Sequence, residues 1–160
     1  MKISSLAEIK KELKFLSDKE LIEVIADLSK FSTDNKLFLY FKIFGKDNPE
    51  LFTEMIHEEL VMEFQKANKS NYHQAKKSAQ LIRRKLNKFL KFTRDKATKV
   101  ELISFFCQQL SEYGFLGYHH PVIENLFYMQ VGKIEKLINE MHEDLQYDFQ
   151  HKVDELKKLL

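Results

Sequence analysis

Residues 37–50 read LFLYFKIFGKDNPE, and the first eight of them are apolar apart from Lys42. Such a run fits a buried strand or a buried helix equally, because neither a two-residue nor a 3.6-residue period survives when every face is apolar. The surroundings favour helix. Nothing else in the chain reads as a strand, and a lone strand has no partner for its ladder hydrogen bonds. Gly45 then supplies a C-cap, Asn48 an N-cap and Pro49 the favoured first position of a helix over about residues 49–66.

Helix signals continue on both sides of this stretch. Ser5 with Glu8 and Ser17 with Glu20 fit the capping box, in which serine hydroxyl and glutamate carboxylate satisfy the unpaired amides of a helix start. They predict helices near 6–15 and 18–31. Leu6, Ile9, Leu13 and Leu16 share one face of the first, and Leu21, Val24, Ile25 and Leu28 share one face of the second. The two are expected to pair as a hairpin. Downstream, helices are predicted near 71–92 and 95–113, the second with Ile103, Phe106, Cys107 and Leu110 inward and ended by the loop Gly114-Phe-Leu-Gly117. Pro121 opens a seventh, striped with Ile123, Leu126, Phe127, Ile134, Leu137, Ile138 and Met141. An eighth, near 143–159, carries Leu145, Phe149, Val153, Leu156 and Leu160. Antiparallel pairs with short connections predict an all-α fold of about eight helices, as a compact bundle or a short right-handed helical solenoid.

Composition agrees with this reading. Four glycines and two prolines leave few sharp turns for a β-sandwich or barrel, while fourteen phenylalanines supply a core. A chain of 160 residues fits a single domain over 1–160. Cys107 is the only cysteine, which excludes a disulfide or a multi-cysteine zinc site within one chain. The opening MKISSLAEIKKELK has no apolar signal core, and no stretch reaches the length and hydropathy of a membrane span. A cytoplasmic protein with no membrane partner is expected.

The segments LAEIKKELKFLSDKELIEVIADLSKFS (6–32), LFLYFKIFGKDNPE (37–50), LISFFCQQLSEYGFLGY (102–118) and PVIENLFYMQVGKIEKLI (121–138) together resemble a bacterial domain-of-unknown-function family of short all-helical proteins. The shared features are helix starts, an Asn-Pro step and a Glu-Tyr-Gly turn. The resemblance implies an all-α single domain and carries no catalytic or binding residue with it. The basic segment described next lies outside it.

Charge is strongly segregated. Residues 64–100 hold twelve Lys or Arg against Asp95 alone, whereas residues 1–63 hold nine basic and thirteen acidic side chains and residues 101–160 five and ten. On a helix over 71–92, Ala75, Ala79, Ile82, Leu86, Phe89 and Leu90 fall on one side, and Lys77, Arg84, Lys88 and Lys91 fall within about 60° of each other on the opposite side. Such a stripe suits a phosphate backbone. A solvated face or acidic neighbours account for it too and are favoured, because no aromatic lies among the four to stack on bases and no known binding motif occurs nearby.

Other candidates are weaker. Glu54 and His57 form a Glu-x-x-His echoed by Asp148 and His151, the unit of di-metal bundles, but both pairs lie off the apolar stripes, so no metal site is expected. His119 and His120 precede Pro121 in a loop, where one imidazole could cap the next helix. Cys107 sits on an apolar face and reads as a small hydrophobe. Scattered glycines rule against a phosphate-cradling loop. The expectation is a non-enzymatic protein-interaction or structural module without cofactors, its terminal helix completing the bundle or pairing with a second copy as a homodimer. The alternative is a polyanion (nucleic-acid) binder using Lys77, Arg84, Lys88 and Lys91.

Overall fold

A computed structural model describes residues 3–45 and 48–160. Those residues form eight α-helices and no strand: α1 (Leu6–Leu13), α2 (Asp18–Phe31), α3 (Thr33–Phe44), α4 (Pro49–Lys66), α5 (Tyr72–Phe89), α6 (Lys96–Glu112), α7 (Pro121–Asn139) and α8 (Glu143–Lys157). A 3₁₀ turn, Leu116–Tyr118, joins α6 to α7. The ambiguous run around residue 40 is helical. It starts earlier than its apolar residues suggest, because Ser32 caps it: the Asn35 amide donates to Ser32 Oγ at 3.1 Å. Ser32 is extended (φ −156°, ψ 151°) and serves as both the last cap of α2 and the first cap of α3.

Both capping boxes are present. The Ser5 amide donates to Glu8 Oε2 at 2.6 Å and the Ser17 amide to Glu20 Oε2 at 2.8 Å. The backbone amide of Ser5 holds the Glu8 carboxyl below its usual range, as the hydroxyl of Ser17 does for Glu20. Asn48, Asn71 and Asp95 cap α4, α5 and α6 through the amides of Leu51, Gln74 and Thr98. Gly45 ends α3 in a right-handed conformation (φ −82°), so its value is spatial: a Cβ there would stand 2.8 Å from the Phe41 carbonyl oxygen.

The backbone contacts gather the chain into two compact units, Met1–Lys46 and Asp47–Leu160, where length alone suggests one domain. In the first, α2 packs chiefly on α3, not on α1 as the hairpin reading expects. The cap explains this, since a one-residue link and the Asn35 Nδ2 to Leu28 carbonyl bond (2.9 Å) tie α2 directly to α3. Phe41 is the one buried residue of α1–α3, so the apolar faces read from sequence lie largely in solvent.

The second unit has a real core, built around α6. Val100, Leu102, Ile103, Phe106, Cys107 and Leu110 are all at most 1% exposed, and α4, α5, α7 and α8 all pack against this helix. Phe64 meets Phe106, Tyr113 and Phe115 with ring centroids 5.4–5.7 Å apart. Ala75 and Ala79 give α5 a flat, fully buried face. Each buried Leu, Ile or Phe contributes roughly 1.5–3 kcal/mol, against about 0–1 for an exposed ion pair, so apolar packing holds this unit together. Gly114 (φ +76°) closes α6, with its amide bonded to the Ser111 carbonyl and the Phe115 amide to the Leu110 carbonyl, both at 2.9 Å. This is a Schellman turn with its apolar pair, Leu110 and Phe115, buried. The terminal helix α8 packs on α7 and buries Val153 and Leu156 within the chain.

Candidate polyanion interface

The buried face of α5 turns its opposite side to solvent, and Lys77, Arg84, Lys88 and Lys91 are all exposed there. The helix ends at Phe89, so Lys91 stands one residue past its cap, but its amide still donates to the Lys88 carbonyl at 3.2 Å and keeps it near helical register. Among the described residues, no carboxylate forms an ion pair with Lys77, Arg84 or Lys91.

The acidic neighbours act elsewhere on the segment. Lys85, a step off the stripe, bonds Glu59 and also Glu63 (3.0 Å) on α4. Burial alone would lower the Lys85 pKa, but the hydrogen bonds and charges of those two carboxylates outweigh it and hold it above the ordinary value. Lys96 lies 3.4 Å from the Glu140 carboxylate, and Lys69 donates to the Tyr113 carbonyl at 2.6 Å. So carboxylates and carbonyls engage the flanks of the basic segment at Lys69, Lys85 and Lys96, while Lys77, Arg84 and Lys91 reach solvent without an ion pair among the described residues.

Two further cations join from α7, unmarked in the sequence because they lie more than thirty residues from their neighbours. Lys133 Nζ donates to Asn87 Oδ1 at 3.3 Å, across 46 residues of chain. Burial, reinforced by the charge of Arg83, holds the Lys133 pKa below its ordinary value. Lys133 and Lys136 line an open cleft of about 300 Å³ together with Lys91, Lys99 and the apolar side chains Leu90, Ile103 and Leu137. Glu140, the partner of Lys96, is the carboxylate on its edge.

The remaining candidates behave as follows. His57 stacks on Phe105 (centroids 3.8 Å apart) and lines a cleft of about 390 Å³ with Glu50, Glu54 and Glu101. Glu101 is held by Lys152 at 2.7 Å, and burial keeps the His57 pKa below its usual value. Among the described residues no three His, Cys, Asp or Glu side chains group so as to hold a metal ion, and Asp148 and His151 are exposed. His120 caps α7 by accepting from the Val122 amide at Nδ1 (3.1 Å), while His119 adopts a left-handed conformation beside Glu124. The Cys107 thiol is fully buried, and burial pushes its pKa up to about 12.

Fold and surface define an all-α protein with no described helix long and apolar enough to cross a membrane, and with Lys77, Arg84 and Lys88 exposed on the side of α5 opposite its buried face. No protein-family model, curated protein or solved structure matches the chain.

Proposed function

We propose that this protein is a non-enzymatic binding module that grips a nucleic-acid phosphate backbone along the outer face of α5. The observation that carries the reading is the exposure of Lys77, Arg84, Lys88 and Lys91 in one line, while Glu59 and Glu63 of α4 engage Lys85, a step off that line. Four phosphate contacts on a duplex give a salt slope of about −3.6, so affinity falls roughly 150-fold between about 50 and 200 mM salt. Fluorescence anisotropy with a short DNA duplex and a short RNA measures this. Lys77→Gln with Arg84→Gln is expected to reduce the slope by about 1.8 for duplex DNA. An unchanged slope in that double variant, or no binding at low salt, rejects the reading.

A second reading, a protein-interaction or structural module, is supported by the apolar faces of α1–α3. Leu6, Phe15 and Phe31 are 69%, 84% and 87% exposed, and large apolar side chains left in solvent suit contact with another protein, a second copy included. Sedimentation velocity tests the second copy: concentration-dependent dimerisation abolished by Phe15→Ser with Phe31→Ser supports it. A monomer at all concentrations removes the homodimer.

A further inference from the structure

Four ammonium groups around one cleft repel each other. Lys91, Lys99, Lys133 and Lys136 line the opening, and the single lining carboxylate, Glu140, is already engaged by Lys96 at 3.4 Å. Lys133 is the most exacting of the four. It is half-buried, its hydrogen-bond acceptor is the neutral side-chain oxygen of Asn87, and a second cation, Arg83, stands beside it. Arg83 itself has a buried Nε with no partner. Cations held this way lower the stability of the empty protein and are relieved by an incoming anion.

The rest of the cleft narrows the choice of anion. Leu90, Ile103 and Leu137 form an apolar wall, and about 300 Å³ is the lower end of the range for small-molecule sites. A bare inorganic ion would leave that wall wet. A phosphate monoester carries about −1.5 to −2 charges and three strong acceptor oxygens, a better match to several lysine donors than a singly charged carboxylate.

We propose that the cleft between the end of α5, α6 and α7 binds an organic phosphate, its phosphate among Lys91, Lys99, Lys133 and Lys136 and its apolar group against Leu90, Ile103 and Leu137. The ligand is either a soluble phosphate ester or the phosphate headgroup of a lipid, which share this chemistry. Lys91 is the only residue common to this site and the α5 stripe.

Isothermal titration of the full chain with octyl phosphate, inorganic phosphate and octanol tests the site. Octyl phosphate is expected to bind at least about tenfold more tightly than either fragment, since both halves of the cleft are used. Lys133→Met and Lys99→Gln are each expected to weaken it about tenfold, whereas Lys77→Gln with Arg84→Gln leaves it unchanged. Lys133→Met removes a half-buried charge and should preserve the helical circular dichroism signal; Lys99→Gln, on α6, is the second test. Flotation with phosphatidylcholine vesicles, with and without phosphatidic acid, separates the sources. Flotation that needs phosphatidic acid and is lost in Lys99→Gln assigns the site to a lipid headgroup, and tight octyl phosphate binding without flotation assigns it to a soluble ester. Equal affinity for octyl and inorganic phosphate, or wild-type affinity in both Lys133→Met and Lys99→Gln, overturns the proposal. Failure of the α5 stripe is read separately, in the salt slope of the Lys77 and Arg84 variant.

Discussion

Replacing Gly114 with alanine probes the turn that ends α6, the helix against which the second unit packs. At φ +76° an L-residue is strained by roughly 1–2 kcal/mol. A Cβ at this position would meet nothing within 4 Å, so the penalty is torsional and not steric. Removing a glycine also restricts the unfolded chain, which returns about 0.4–1 kcal/mol and leaves a net loss near 1 kcal/mol. Gly132 provides the matched control. It lies inside α7 with equally open space around a built Cβ and no positive φ, so Gly132→Ala keeps only the favourable part, about 0.5–1 kcal/mol. The two alanines therefore differ by about 2 kcal/mol in opposite directions. Urea unfolding followed by circular dichroism measures both, and unchanged m-values show that the folded states are comparable. Gly114→Asn, which tolerates the left-handed region, should recover part of the loss. If Gly114→Ala proves as stable as Gly132→Ala, the Schellman turn does not govern the end of α6 and the reasoning fails.

Two other expectations follow from buried groups. Cys107 is enclosed with its thiol pushed up to about 12, so the native protein should resist iodoacetamide at mildly alkaline pH and label fully in urea, as read by mass spectrometry; prompt native labelling would contradict its burial. His57, with its pKa depressed chiefly by burial, binds a proton more weakly folded than unfolded, so its contribution to stability is complete above about pH 6.5 and is lost as pH falls from there through the lower folded value. Urea midpoints at two pH values should fall less in His57→Phe than in the parent, and an equal fall in both would refute the assignment.

The features legible from sequence are those whose chemistry is local. Asn48-Pro49 marks the start of α4, and the Ser-x-x-Glu pairs mark α1 and α2, because a cap needs only residues within one turn. Periodicity also separates the buried alanines of α5 from Lys77 and Arg84 opposite. What it cannot reveal is whether a partner covers a face. Val24 and Leu28 share the spacing of Ile82 and Leu86, yet the first pair is 39% and 52% exposed and the second at most 1%. The same blindness affects charge. Arg84 and Lys85 are adjacent in one helix, but Lys85 is neutralised by carboxylates 26 and 22 residues away, a pairing set by the packing of α4 on α5. Lys133 and Lys136 read as ordinary α7 cations until that helix brings them to Lys91 and Lys99.

This sorting of charge constrains how any anion can be recognised. From residue 47 to 160 the sequence holds seventeen basic and seventeen acidic side chains, so the second unit has no net charge with which to draw a polyanion from afar. Its field is that of separated patches, and beyond a Debye length of about 10 Å at ordinary salt the patches screen each other. Attraction is therefore felt at contact, where Lys77 and Arg84 stand clear of carboxylates and the flanking Lys85 does not. It follows that substitutions on the stripe should act mainly by hastening dissociation rather than by slowing encounter. A cleft that adds an apolar wall to its lysines discriminates further, because the wall rewards only those anions that bring something to bury.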